Sequence, residues 1–275
     1  MTAVAQAVRD GVLPGRVWLY ANYHCNLACT YCLTESFPKA ARRELGPQRM
    51  LALAGEARAL GFTALGVTGG EPFLLPYLPE VLVKLASILP LVCLSNGTMF
   101  TRDRLERLRP LADLPAAIQL SLDRPEPVAN DAMRGPDNFR KVVDAIPRLV
   151  QRGVRVRIAT TVAWIDDQER QRLCRLHRRL GVPDADHLIR PIVRRGRAVD
   201  HGLGVDAGPA DLPAELTITA DGAFWSPFGP TVHGGRLDTD LLITRTTTPL
   251  QVPAAALLRL VGARPAGTDT QLNIR

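Results

Sequence analysis

An α/β fold built on a parallel sheet is the architecture this sequence predicts, and three observations predict it. Six short apolar runs alternate with five segments of helical periodicity between Val17 and Val193, the pattern of repeated strand–helix units. Apolar residues form 46% of the chain and charged residues 22%, a balance that excludes disordered, fibrous and collagen-like chains. The 275 residues suffice for one large α/β domain with a small appendage.

The first strand is Val17–Tyr20, followed by a helix over Pro47–Leu60 that opens on a proline, the residue suited to a first helical turn. A strand over Ala64–Thr68 and a helix over Leu78–Leu89 form the second unit, and Leu91–Ser95 with Thr101–Leu108 the third. The fourth pairs Ala117–Leu122 with a helix over Asn138–Gln151. The fifth pairs Val154–Val162 with Asp167–Leu180, and His187–Val193 closes the series. Gly61, Gly153 and Gly181 each follow a helical pattern where a left-handed cap is needed. Such a sheet is flat or curved into a barrel, but six units are too few to close an eight-strand barrel. Beyond Gly196 the pattern changes: residues 201–213 read as a Gly/Pro-rich linker, Leu216–Trp225 as two strands around an Asp221-Gly222 turn, and Gln251–Val261 as a final helix.

Five cysteines, an odd number at low density, argue against a disulfide-stapled secreted fold. The most apolar stretch, Leu74 to Leu94, is interrupted by Pro76, Pro79, Glu80, Lys84 and Pro90, so no membrane span is expected. The N-terminus lacks the basic start and apolar run of a signal peptide, and the expected location is cytoplasmic. Of the formal charge of +7, residues 140–200 hold 15 bases and 7 acids, leaving the remainder nearly neutral. That excess reads first as a solvated face on arginine-rich helices and second as a site for a polyanion.

The chemistry-bearing segment follows the first strand: Tyr23-His24-Cys25-Asn26-Leu27-Ala28-Cys29-Thr30-Tyr31-Cys32. Three cysteines on one loop can converge on a soft metal centre. Ordinary buried cysteines are one reading, disfavoured by three within eight residues. A structural zinc closed by His24 or a distant ligand is a second, disfavoured because no second two-ligand knuckle exists. A [4Fe–4S] cluster on three thiolates, with one iron open, is the third. Elsewhere, Cys93 reads as a core residue and Cys174 as structural, while His201 and His233 are read as exposed loop histidines before substrate-side groups.

The loop is similar to that of the radical S-adenosylmethionine (radical SAM) superfamily, whose signature is this spacing with an aromatic residue, here Tyr31, before the last cysteine. The companions fall after successive strands. Gly69, Gly70, Glu71 and Pro72 resemble the family segment that holds the methionyl amino group, with Glu71 supplying charge toward the ammonium. Ser95 and Asn96 resemble polar residues near ribose and methionine, and Ser121 with Asp123 resembles ribose and carboxylate contacts. Lys141 best matches the base set on the methionyl carboxylate, with Arg140 second. Ile192, after Arg190-Pro191, resembles the aliphatic side chain packed on adenine. The asparagine often seen after Thr160-Thr161 is missing.

The resemblance implies a partial (β/α)6 TIM-type barrel with a small, mostly-β C-terminal extension. It divides the chain into a lead (1–16), a cofactor domain (17–200) and an extension (201–275). It also implies a [4Fe–4S] cluster on Cys25, Cys29 and Cys32, SAM, and reductive cleavage of SAM to a 5′-deoxyadenosyl radical that abstracts hydrogen from a substrate. A low-potential electron donor such as flavodoxin or ferredoxin would serve it. The segment Leu216–Phe228 resembles the entry to SPASM, the extension of many peptide-modifying relatives. No cysteine occurs after Cys174, so that extension would be a degenerate, cluster-free remnant covering substrate. A ribosomal peptide or natural-product metabolite is the leading substrate class. Behind it stand glycyl-radical activation, RNA modification and, in a different class, a non-catalytic metal-binding module.

Overall fold

The computed structural model describes residues 2–262. The chain runs α1 (Ala3–Arg9), β1 (Arg16–Tyr20), α2 (Pro47–Ala59), β2 (Ala64–Thr68), α3 (Leu78–Ala86), β3 (Leu91–Ser95) and α4 (Arg102–Leu108). It continues through β4 (Ala116–Ser121), α5 (Pro127–Arg134), α6 (Asn138–Val150), β5 (Arg155–Val162), α7 (Asp167–Arg179) and β6 (His187–Pro191). The C-terminal part adds α8 (Arg197–Asp200), β7 (Thr217–Ile218), β8 (Ala223–Phe224), β9 (Val232–His233), β10 (Arg236–Leu237), β11 (Leu242–Thr244) and α9 (Gln251–Gly262).

Strands β1 to β6 pair in parallel and in sequence order, the arrangement of an open, partial (β/α)6 barrel. Order follows from connection: each helix returns the chain over the sheet face, and the next strand lands beside the last. The expected turn at Asp221-Gly222 is present, and the hairpin it makes extends the same sheet. Strand β7 pairs in parallel with β1, and β8 and β11 follow antiparallel, so the sheet has nine strands.

Inside the sheet, alternate residues of each strand face the barrel interior. Trp18 fills it, fully buried, and Gly66 on the neighbouring strand is the space it occupies: a Cβ there would lie 2.2 Å from the indole ring. On the outer face Leu65, Val67, Cys93, Ile118, Leu120 and Ile158 meet the helices, so Cys93 is the core residue expected.

Three differences from the sequence reading have physical causes. Helix α1 lies in the segment read as a plain lead, capped by the Thr2 hydroxyl, which accepts from the Ala5 N–H at 3.1 Å. Helix α5 was not expected because its buried face is polar: Asn130 and Arg134, four residues apart, point inward while Val128 is 85% exposed. The hairpin β9–β10 and strand β11 are too short to carry periodicity. Part of the arginine excess over 140–200 is the solvated face expected, while Arg157, Arg190 and Arg195 are largely buried. Arg148, Arg152, Arg155, Arg170 and Arg178 each pair with a carboxylate within 2.9 Å. Among the described residues, no helix is long and apolar enough to cross a membrane.

Candidate cofactor site at the mouth of the barrel

The loop after β1 folds across the C-terminal ends of the strands and roofs a cavity of about 210 Å³. Cys25, Cys29 and Cys32 all line it, together with Tyr31, Gly69, Gly70, Ser95, Asn96, Ser121 and Ile192. Ten of the fourteen residues singled out from the sequence therefore share one space. Thr161 and Arg190, opposite each other in the β5–β6 register, line its far side. Pro227 and Phe228 from the C-terminal segment close its near side.

The cysteine loop is held by close backbone contacts. Gly70 donates its N–H to the Asn22 carbonyl at 2.8 Å, and Glu71 to the His24 carbonyl at 3.0 Å. A Cβ on Gly70 would meet the His24 carbonyl oxygen at 2.2 Å, so the glycine pair serves the loop as well as the cavity. On the other side, Gly196 has φ +56° and a Cβ there would lie 2.2 Å from the Leu33 oxygen. Arg197, next in sequence, donates to the carbonyls of Cys29 (2.6 Å) and Ser36 (3.1 Å). Arg194 and Arg195 are likewise engaged, with Asp206 at 3.5 Å and Asp240 at 2.7 Å.

The three cysteines face one cavity. His24 does not complete a zinc site, because its ring faces Asn22 (3.5 Å) and Glu44 (4.0 Å). Burial pushes the Cys25 thiol up to about 12 and the Cys29 thiol up to about 11. Free thiols so placed are poor nucleophiles, and a metal is what would deprotonate them. Hydrogen-bond donors already surround two sulfurs: the Leu27 N–H (3.3 Å) and Asn96 Nδ2 (3.5 Å) at Cys25, and the Ser36 N–H (3.4 Å) at Cys32.

Four expected site residues do not reach the cavity. Glu71 is fully buried beneath it, where its carboxylate accepts from Phe73 N (2.9 Å), Ser95 Oγ (2.9 Å) and Asn96 N (2.7 Å). Burial raises its pKa, with those three donors opposing the rise. These bonds orient the end of β3. Pro72 starts the short 3-10 turn after it and is buried in the same layer. Asp123, two residues beyond the end of β4, is fully buried against Tyr31 and Arg134. Lys141 is exposed on α6 and pairs with Asp137 at 3.7 Å.

Two cations line the cavity, and one of them, Arg134, is a residue that sequence reasoning missed. Its guanidinium bonds Asp123 at 2.8 Å, and both groups contact the Tyr31 hydroxyl. Burial opposes the charge on Arg134, yet Tyr31 and Asp123 hold its pKa well above the ordinary value. The second carboxylate oxygen of Asp123 accepts from the Thr161 N–H at 2.9 Å, so Asp123 is fully committed. The only signals for this helix were Pro127 at its start and Gly135 after its end. Arg190 also faces the cavity, with its pKa lowered by burial.

His233 is exposed and bonds Asp200 at 3.0 Å, while Glu35 accepts from the N–H groups of Gly234 (2.8 Å) and Gly235 (3.1 Å). These contacts fasten the β9–β10 hairpin to α8 through His233 and to the cysteine loop through Glu35. His201 is exposed on the turn after α8.

The family model for the radical SAM superfamily matches residues 20–176. Among curated proteins, the AdoMet-dependent heme synthase of Oleidesulfovibrio alaskensis is 33% identical over 144 residues, 50% of this chain and 36% of that protein. The sporulation killing factor maturation protein SkfB of Bacillus subtilis is 27% identical over 155 residues, 56% of this chain and 37% of that protein. The chain thus spans little more than a third of the length of these relatives. Among solved structures, native anSMEcpe with bound AdoMet and Cp18Cys peptide superposes with a TM-score of 0.60 at 13% identity, covering 86% of this chain and 79% of that one. That likeness is one of fold.

Proposed function

From the premise that this chain belongs to the radical SAM superfamily, we propose that Cys25, Cys29 and Cys32 hold a [4Fe–4S] cluster at the barrel mouth and that SAM binds beside it. The family uses both cofactors. The observation that carries the reading is the convergence of all three cysteines on one cavity, lined as well by residues from the ends of the parallel strands. Bound there, the pair would supply reductive cleavage of SAM and abstraction of hydrogen from an unreactive C–H bond.

The chain's own residues position and enclose. Gly69 and Gly70 bring bare backbone to the cavity wall, where a ligand ammonium finds carbonyl acceptors. Arg134, pre-aligned by Tyr31 and Asp123, offers a fixed cation to a ligand carboxylate. Ser95, Ser121 and Thr161 present small polar groups, and Ile192 a flat aliphatic surface suited to a purine. Water is excluded by the roof loop and by Pro227 and Phe228.

The division of labour in this reading assigns cofactor binding to residues 17–200 and cover over the substrate to the extension from 201. The extension carries no cysteine, so the cover needs no further cluster. We assign a peptide as the substrate class, supported by SkfB among the relatives and by the peptide-bound fold neighbour. A cytoplasmic location and a low-potential protein electron donor complete the proposal.

The test is anaerobic reconstitution followed by reduction in the presence of SAM. The wild type should form 5′-deoxyadenosine, and a Cys25→Ala, Cys29→Ala, Cys32→Ala variant should form none. Equal product from both would overturn the reading.

A further inference from the structure

Asn96 was expected to touch SAM, but its hydrogen-bonding groups are committed elsewhere. Its backbone N–H donates to Glu71 Oε2 at 2.7 Å, and its carbonyl accepts from Asn138 Nδ2 at 3.1 Å. Its side-chain oxygen accepts from the Thr98 N–H (3.0 Å) and the Thr98 hydroxyl (2.7 Å). A backbone N–H can only donate, so the side-chain amide has one orientation, with Nδ2 turned away from Thr98. The two Nδ2 hydrogens serve Asn26 Oδ1 at 2.9 Å and Cys25 Sγ at 3.5 Å. The residue is 6% exposed, and the fully buried Glu71 clamps its backbone from below.

We propose that Asn96 is a positioning residue that sets the reduction potential of the cluster through the Cys25 sulfur. This rests on the cluster reading above. A sulfur ligand carries more negative charge when the cluster is reduced, and an N–H donor aimed at it favours that state. The donor is rigid because both ends of the amide are fixed, so it needs no reorganisation on electron arrival. Glu71 acts one step further back, holding the end of β3 so that the amide stays on the sulfur.

The experiment is an EPR-monitored redox titration of the full, anaerobically reconstituted chain, comparing wild type with Asn96→Leu and Asn96→Asp. The aspartate variant is near-isosteric and keeps both Thr98 contacts. Both variants should retain wild-type iron. The leucine variant should lose about tenfold in its reduction equilibrium constant, about 59 mV lower for a one-electron couple. The aspartate variant, with an oxygen facing Cys25, should fall at least as far. Wild-type potentials in both loaded variants would overturn the proposal. So would loss of the cluster from both, which would make Asn96 a structural residue. Absence of a cluster from the wild type itself would instead overturn the cluster reading.

Discussion

Arg134 and Asp123 form a buried ion pair at 2.8 Å, with side chains 6% and 0% exposed, and the Tyr31 hydroxyl sits against both. The pair links helix α5 to the end of β4 and to the cysteine loop in one contact. It fixes one of the two cavity cations without offering its carboxylate to a ligand. Removing one partner strands the other charge out of water. Arg134→Gln should therefore cost about 3–5 kcal/mol in chemical denaturation, and Asp123→Asn with Arg134→Gln together should recover part of that loss. A single variant as stable as wild type would contradict the pairing.

The same geometry ranks the cations that could hold a ligand carboxylate. Lys141 is solvent-exposed and tied to Asp137, whereas Arg134 lines the cavity. Lys141→Gln should leave SAM affinity unchanged in equilibrium binding to reconstituted protein. Arg134→Lys, which keeps the charge but not the planar fork, should weaken binding by about tenfold. The reverse ranking would return Lys141 to the role first expected of it.

Two glycines hold the cysteine loop against its neighbours. A Cβ at Gly70 or at Gly196 would lie 2.2 Å from a backbone oxygen of that loop. Gly70→Ala and Gly196→Ala should each lower the iron retained after reconstitution. Gly55→Ala, in mid-helix with nothing within 4 Å, should retain wild-type iron and gain about 0.5–1 kcal/mol. Iron analysis and thermal denaturation of the three variants check this.

His177 and His187 pack edge to face with ring centroids 4.3 Å apart. Both His177 nitrogens are buried without a hydrogen-bond partner, and Cys174 sits 3.8 Å from His187. Burial lowers the His177 pKa to about 3 and the His187 pKa to about 4, from 6.5. Below pH 6.5 the unfolded chain binds protons that the fold refuses, so stability falls as pH falls from 6.5 toward those values. The loss by pH 4.5 is on the order of 3–5 kcal/mol. His177→Phe should remove about half of this acid dependence, read from denaturation midpoints between pH 7 and 4.5.

What the sequence made legible followed from patterns with a physical period. Apolar runs placed β1 to β6, helical periodicity placed α2, α3, α4, α6 and α7 between them, and Pro47, Gly61, Gly153 and Gly181 marked ends of α2, α6 and α7. The cysteine spacing and the Gly69-Gly70 pair pointed to the roof of the cavity. The placement of two carboxylates was not legible, because residue type does not reveal whether a side chain points into a cavity or beneath it. Glu71 and Asp123 serve as buried anchors for Asn96 and Arg134. Helix α5 was hidden because its inward face carries Asn130 and Arg134, so the apolar stripe that marks a helix was absent. Arg197 was hidden for a simpler reason: its contacts to Cys29 and Ser36 join segments more than 160 residues apart.

The most direct test of the central claim is Mössbauer spectroscopy of protein reconstituted anaerobically with iron-57, before and after SAM is added. The expected result is a four-iron cluster in which SAM changes the environment of a single iron, and its loss when Cys25, Cys29 and Cys32 are replaced. A mononuclear site, or a four-iron spectrum that SAM leaves untouched, would contradict it.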